Sequence, residues 1–338
     1  MHMPPSSVTR RLGHNGVEIF PVGIGSMSFT PFYGPVERAN GLAILKEAMD
    51  RGVNHIDTAN IYGMGLAEDI IGEFIRDVGA AARDFFVIAS KVGINRGNKE
   101  RPFRNDPEHI KAELDNTLKR LAVETIDLYY IHRREADIPI EDVAGTLADL
   151  ITTGKIKSFG FSEIAPSSLR RAQAVHPVAA VQSEYSLSTR QVELGMLQAT
   201  AETGTSFVGF CPLGRSLLTD KPHSRAHAAT LPFLENNPRF MEPNLSANHA
   251  AAAGFRAIAA EMGIKASTLA VAWMLTRGDN VIPVPGTRSV EHFRELIAAV
   301  DVHLDADVLA AIDTALPAGW THGDRYSAEQ WNGIERYF

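Results

Sequence analysis

Four side chains that could act on one substrate stand at the ends of three successive apolar runs. The stretch from Asn54 to Gly63 begins as a strand and passes into a glycine-punctuated loop. It places the carboxylate of Asp57 where the apolar run ends and the phenol of Tyr62 shortly after it. The next run, Phe85 to Gly93, is apolar until Lys91, and the one after it, Ile126 to His132, ends in a histidine. A phenol that titrates near ~10 is poorly matched to proton transfer at neutral pH unless a nearby cation stabilises its anion. Lys91 is the cation that parallel strands would bring beside Tyr62. Taken singly, each residue has an ordinary reading: a capping Asp, a packing Tyr, a solvated Lys, a structural His. On consecutive parallel strands they make a proton-transfer constellation.

Elements of one repeating kind must position them. Arg11 to Ile19 reads as a hairpin turning at Asn15-Gly16. Val22 to Gly25 is a short first strand whose Gly-x-Gly opens no helix and has no third glycine, so it lacks the dinucleotide fingerprint. Apolar spacing predicts helices over 36–51, stopped by Gly52, over 66–78, and from the cap and proline at Asp106-Pro107 through Leu121. The alternation continues with helix 140–153, strand 156–161, helix 166–175, strand 179–183, helix 192–203 and strand 206–210. An irregular region, 213–246, then interrupts it. Helices over 249–262 and 267–277, a last strand at 281–284, a helix over 289–300, an extra helix over 305–316 and an aromatic tail follow. Eight strand–helix alternations without a linker predict an α/β fold over 1–338: a single (β/α)8 TIM barrel domain. It carries an N-terminal hairpin (1–20), a long loop after strand seven (213–246), the extra C-terminal helix and a C-terminal tail (317–338). All the suggestive residues fall at C-terminal strand ends, the catalytic face of such a barrel. An open doubly wound sheet would need a phosphate-binding glycine loop after its first strand.

Composition narrows the function classes. The chain of 338 residues is 45% hydrophobic and 22% charged, as expected of a globular protein. A net charge of -7 argues against a general nucleic-acid binder. One cysteine, Cys211, precludes an internal disulfide and fits a reducing, cytoplasmic compartment. No apolar run approaches the roughly 20 residues that span a bilayer, and Met1 to Pro5 has no signal-peptide pattern. His2-Met3 reads as a cloning remnant. The histidines at 223, 227 and 249 have no zinc-ligand spacing, so no metal is expected.

The four residues and their contexts resemble the aldo-keto reductase family. Ile56 to Gly63, Ser90-Lys91 and Tyr129 to Arg133 carry the resemblance, joined by Gly160 to Glu163, Val181 to Ser186, Cys211 to Arg215 and Ile282 to Arg288. They occur in the family's order over nearly the whole chain. The resemblance implies reduction of an aldehyde or ketone, with Tyr62 delivering the proton, Lys91 lowering its pKa, Asp57 holding Lys91, and His132 bonding the carbonyl oxygen.

It also implies NADP as cofactor. Ser162 and Gln182 would hold the nicotinamide carboxamide and Phe210 would stack on the ring, where relatives often carry Tyr. Leu213, Gly214, Arg215 and Ser216 would pass the pyrophosphate, with Arg215 supplying charge. Gly286, Thr287 and Arg288 precede a helix start, and Arg288 would grip the 2'-phosphate. His292 and Glu295 would border the adenosine, and Ser26 and Met27 complete the cofactor set. Glu163 and Leu296 stand where many relatives have Asn. For substrate, the mouth would draw on Phe29, Phe32, Tyr33, Arg133, Arg134 and Trp320. Gly323 to Tyr326 with Phe32-Tyr33-Gly34 resembles a bacterial branch that includes pyridoxal reductases and broad-range aldehyde reductases. The partner expected is a small carbonyl compound, with neither nucleic acid nor membrane, and the protein a monomer or small homo-oligomer. Two rivals stay open: a Schiff-base lysine at Lys91, and a cofactor-sensing subunit of a membrane assembly with the same four residues.

Overall fold

Short runs that alternate in the size and polarity of their side chains make strands with two different faces, and here these strands line up in parallel. The computed structural model describes residues 8–14 and 16–337. Strands β1 (Arg10–Arg11) and β2 (Glu18–Ile19) form an antiparallel hairpin. Asn15 of the expected turn lies outside the described residues, as do His2 and Met3. Strands β3 (Ile24–Gly25), β4 (His55–Asp57), β5 (Val87–Val92), β6 (Leu128–Ile131), β7 (Phe159–Ser162), β8 (Ala180–Glu184), β9 (Ser206–Phe210) and β10 (Val281–Val284) then lie side by side in chain order, all parallel.

Two bonds draw the ends of this sheet together: Gly23 N–H to the Pro283 carbonyl and Gly25 N–H to the Pro285 carbonyl, each 2.9 Å. Neither proline has an N–H to return, so the seam is nearly closed but carries no full ladder. Gly25 is needed there, because a Cβ would stand 2.8 Å from the Val284 carbonyl oxygen.

Strand periodicity divides the packing. One parity points inward, where Ala89, Leu128, Tyr130, Ala180, Val208, Ile282 and Val284 pack with Leu12 and Ile19 of the hairpin. The hairpin closes the N-terminal end, with Gly13 N–H bonded to Ser206 Oγ and Phe20 N–H to Asn54 Oδ1 at the strand starts. The other parity, including Ile56, Ile88, Ile131, Phe161, Val181 and Phe207, packs against the helical layer. Each large side chain so buried contributes roughly 1.5–3 kcal/mol, so this two-faced cylinder is the rigid frame of the site.

The helices follow their punctuation. Arg38–Arg51 ends at Gly52 in the left-handed conformation, and Pro107–Leu121 begins at Asp106, whose side chain accepts from His109 N–H. Among the segments that differ from the periodicity reading, three stand out. Ala80–Phe85 is helical, and the strand starts only at Val87. The helix expected over 249–262 is two, Asn244–Ala251 and Ala253–Glu261. The one over 192–203 is broken at Gly195 (φ 134°) into a 3-10 turn and Met196–Thr203. The extra C-terminal helix spans Ala306–Ala315. The region 213–246 is ordered rather than irregular: Arg225–Ala228, Pro232–Glu235 and the turn Pro238–Phe240 fold over their own cluster of Leu217, Ala228, Leu231, Leu234, Phe240 and Leu245. A loop this long must bury the apolar side chains it carries. Among the described residues no single helix is long and apolar enough to cross a membrane.

Candidate active site

Inward parity at the C-terminal strand ends brings Asp57, Lys91 and His132 together, and the loop after β4 adds Tyr62. The Lys91 ammonium is fully buried and all three of its protons are spent: on Asp57 Oδ1, on the Thr58 carbonyl at 2.8 Å and on Tyr62 Oη at 3.3 Å. Because the phenol oxygen accepts from Lys91, its own O–H is left to aim elsewhere. The other Asp57 oxygen accepts from Gln182 Nε2 at 2.7 Å, so the carboxylate is held from both sides. A lysine whose nitrogen is already donating three times has no free lone pair, which disfavours the Schiff-base alternative.

The electrostatics correct one expectation. Burial, reinforced by Asp57, holds the Tyr62 phenol well above its ordinary value, and Arg133 is the chief cation opposing this. The lowering expected from Lys91 does not outweigh burial. Burial likewise lowers Lys91, with Asp57 opposing. At neutral pH Tyr62 is therefore a protonated acid. His132 is pushed well below its ordinary value by burial and then by the positive charges of Arg133 and Lys91, so its imidazole is neutral. Its Nδ1 is buried and has no partner among the described residues. An orphaned acceptor is tolerated better than an orphaned N–H, which favours the tautomer with the proton on Nε2. Its ring stands edge-on to Tyr62, centroids 5.8 Å apart.

The residues assigned to a cofactor divide into several groups. Ser162 Oγ accepts from Arg133 Nη1 at 3.1 Å and so has its O–H to offer, while Gln182, tied through its nitrogen, presents its carbonyl oxygen. Phe210 ends β9 half-buried, and Met27 packs with Tyr62, Ala59 and Ala67. Ser26 Oγ is buried and has no partner among the described residues. Gly286 approaches closely enough that a Cβ would meet Ser28 Oγ at 2.9 Å, and Ser28 also donates to the Thr287 carbonyl. Arg288 borders a cleft of about 380 Å³ with Pro35, Val36, Glu37 and Asn40. Ser289 caps the helix Val290–Ile297, accepting from the His292 backbone N–H; His292 is exposed, Glu295 half-buried and Leu296 buried in the core. Leu213 packs on the core, Gly214 and Ser216 turn at positive φ, and Ser216 Oγ accepts from His223 N–H.

Arg215 departs from expectation. With φ at 53° its side chain is buried, and both terminal nitrogens bind Glu184, at 2.9 and 2.7 Å. The charge expected to face a pyrophosphate is committed to a carboxylate. Two substrate expectations also change. Phe29 is 2% exposed and packs into the helical layer beside Gly41, whose missing side chain makes the room, so it cannot line the mouth. Trp320 anchors the tail, donating from its indole to the Leu187 carbonyl at 2.8 Å. Phe32 and Tyr33 of the expected mouth pack edge to face, Phe233 joins Phe32 in this aromatic rim, and the buried Tyr326 and Trp331 stack behind Phe233.

Sequence reasoning missed the lock beneath that rim. Tail residue Arg325 binds Glu163 through both terminal nitrogens, and Glu163 Oε1 also accepts from Glu184 N–H. Arg239 of the long loop donates to Thr189 Oγ1, which donates to Glu184. Asn237 of the loop bonds the Arg325 carbonyl and Gln330, and Asn248 of the helix Asn244–Ala251 bonds His322, stitching this region to the tail. Glu163, Cys211, Arg215 and Ser216 all have positive φ, so the strain gathers at the mouth. The acid at position 163 was the available signal: a buried carboxylate needs a cation, but no spacing names which of the arginines supplies it. Among the described residues no group of His, Cys, Asp and Glu could hold a metal ion.

Residues 21–317 match the model of the Aldo/keto reductase family. The chain is 35% identical over 329 residues to "Probable aldo-keto reductase 1" of Glycine max, covering 97% of this chain and 93% of the relative. It is 34% identical over 323 residues to "Aldo-keto reductase yakc [NADP(+)]" of Schizosaccharomyces pombe, covering 94% of each. Among solved structures, the glycerol dehydrogenase AKR11B4 of Gluconobacter oxydans superposes with a TM-score of 0.79 at 28% identity, covering 91% of this chain and 94% of that one.

Proposed function

The chain belongs to the aldo/keto reductase family of enzymes, and from that premise we propose that it reduces an aldehyde or ketone with NADPH, Tyr62 acting as proton donor. The carrying observation is that Lys91 donates to the Tyr62 oxygen while Asp57 and the Thr58 carbonyl take its other protons.

The residues present fit a nicotinamide dinucleotide. Ser162 offers a donor and Gln182 an acceptor, the pair a neutral carboxamide needs. The orphaned Ser26 hydroxyl and the half-buried Phe210 ring lie on the same face. Arg288, at its open cleft beside a capped helix start, would hold the 2'-phosphate that distinguishes NADP. Bound there, the reduced nicotinamide supplies the hydride.

The chain's own residues supply the rest. Tyr62 gives its phenolic proton to the carbonyl oxygen. The phenolate forms beside an N–H of Lys91 that already points at it, so no donor has to reorganise. His132 donates from Nε2 to the same carbonyl oxygen, and Asp57 keeps Lys91 in place. The aromatic rim favours planar or cyclic carbonyl compounds, pyridoxal-like ones among them.

Replacing Tyr62 by Phe keeps the ring and removes the acid. Reduction of an activated aromatic aldehyde should fall at least ~100-fold while NADPH still binds. Near-normal turnover would remove Tyr62 from the mechanism. Tight NADPH binding without turnover by the unaltered protein would favour a cofactor sensor.

A further inference from the structure

Two adjacent arginines follow His132, and the structure gives them opposite fates. Arg134 is committed to the tail: it binds Glu335 and donates to the Ile138 carbonyl at 2.7 Å. Arg133 is not. One nitrogen, Nη1, donates to Ser162 Oγ at 3.1 Å and to the His132 carbonyl at 2.7 Å. Among the described residues no carboxylate partners it, whereas Arg134, Arg215 and Arg325 each have one. Among the described residues Nε and Nη2 of Arg133 have no partner, and they are not buried.

Its position makes that spare capacity informative. Arg133 follows His132 directly in the chain and reaches Ser162 Oγ at the end of β7. Its charge is felt by Tyr62, Lys91 and His132 alike. Asp57 neutralises Lys91 and His132 is neutral, so Arg133 leaves the site with one uncompensated positive charge. A guanidinium fixed through one nitrogen, with Nε and the second terminal nitrogen open, has the fork geometry that takes a carboxylate in a bidentate pair.

We propose that Arg133 is an anion-recognition residue of the substrate pocket, selecting carbonyl compounds that carry a carboxylate over their neutral counterparts. The proposal rests on the reductase reading above. It treats the arginine at 133 as a specificity determinant and the one at 134 as a strut for the tail.

The test compares 2-, 3- and 4-carboxybenzaldehyde with their methyl esters, using NADPH and the full-length protein. The unaltered protein should prefer at least one acid over its ester. In Arg133→Met the acid-to-ester ratio of kcat/KM should fall ~10-fold or more, as loss of a charge-assisted bidentate pair does. Arg133→Lys should recover part of that ratio. A ratio unchanged in Arg133→Met, whatever happens to the absolute rates, overturns the proposal and leaves Arg133 a positioning partner of Ser162. A fall that appears only as weaker NADPH binding, measured by fluorescence titration, overturns it in favour of a cofactor contact. If neither acid nor ester is reduced, the reductase reading fails first. Benzoate binding by titration then still decides, because it should be lost in Arg133→Met.

Discussion

Two buried ion-pair systems sit at the same end of this barrel and are built from different material. Asp57 and Lys91 come from adjacent strands, each held by parallel pairing and an inward parity that the frame enforces. Glu184 ends β8 and Glu163 follows the last residue of β7, but their cations, Arg215 and Arg325, come from the long loop and the tail. The first pair shares its lysine with a phenol and leaves a proton free to act. In the second, both forks close on carboxylates, and what remains is a clasp between β7, β8, loop and tail. Buried charges are costly in both places. In one the arrangement organises chemistry, and in the other it organises the chain.

The sharpest break between them comes from Lys91→Met. Carbonyl reduction should fall ~100-fold or more, and the bare Asp57 should destabilise the fold by about 3–5 kcal/mol. Adding Asp57→Asn should restore most of the stability, read by urea unfolding, and none of the turnover. Recovery of activity in the double variant would mean that the pair does not serve Tyr62.

Arg325→Met should invert the pattern. Glu163 loses its cation, so stability should again drop by about 3–5 kcal/mol, yet kcat should change less than ~10-fold because no group around Tyr62 is altered. Removal of the whole tail from Gly319 would strip Glu163 of Arg325, Asn237 of the loop of Gln330, and Asn248 of the helix after it of His322. It should therefore loosen loop 213–246, seen as faster hydrogen exchange there, rather than simply widen the mouth.

Arg288→Ala probes a charge outside both systems. NADPH should weaken by roughly 1–3 kcal/mol and NADH hardly at all. Equal losses would make Arg288 a rim residue with no part in choosing the cofactor.

The smallest effect is a slope. His132 has a folded-state pKa well below that of the unfolded chain, so between about 6.5 and the lower value the unfolded state binds the extra proton. Stability should therefore fall as pH falls through that window, by up to about 1.4 kcal/mol per pH unit for one group. His132→Gln should flatten the dependence of urea unfolding on pH. Some slope should persist, because burial lowers His55 as well. An unchanged slope would place the titration elsewhere.

What the chain wrote into its sequence is whatever depends on local order. Inward parity, apolar runs ending in Asp57, Lys91 and His132, the Asp106 cap and the Gly52 stop are all properties of neighbours along the chain. They predict the barrel, and with it the side of the barrel where chemistry-bearing residues gather. Tertiary structure decided which charges meet. Nothing local distinguishes Arg133 from Arg134, or says that Arg215 turns inward to Glu184 while the more distant Arg325 finds Glu163. Nor does it say that Phe29 enters the helical layer beside Gly41, or that the long loop has a core of its own. Strand and helix periods act over a few residues. An ion pair between positions 163 and 325 exists only because the closed barrel brings both to one mouth, where a buried carboxylate left without a cation would be costly.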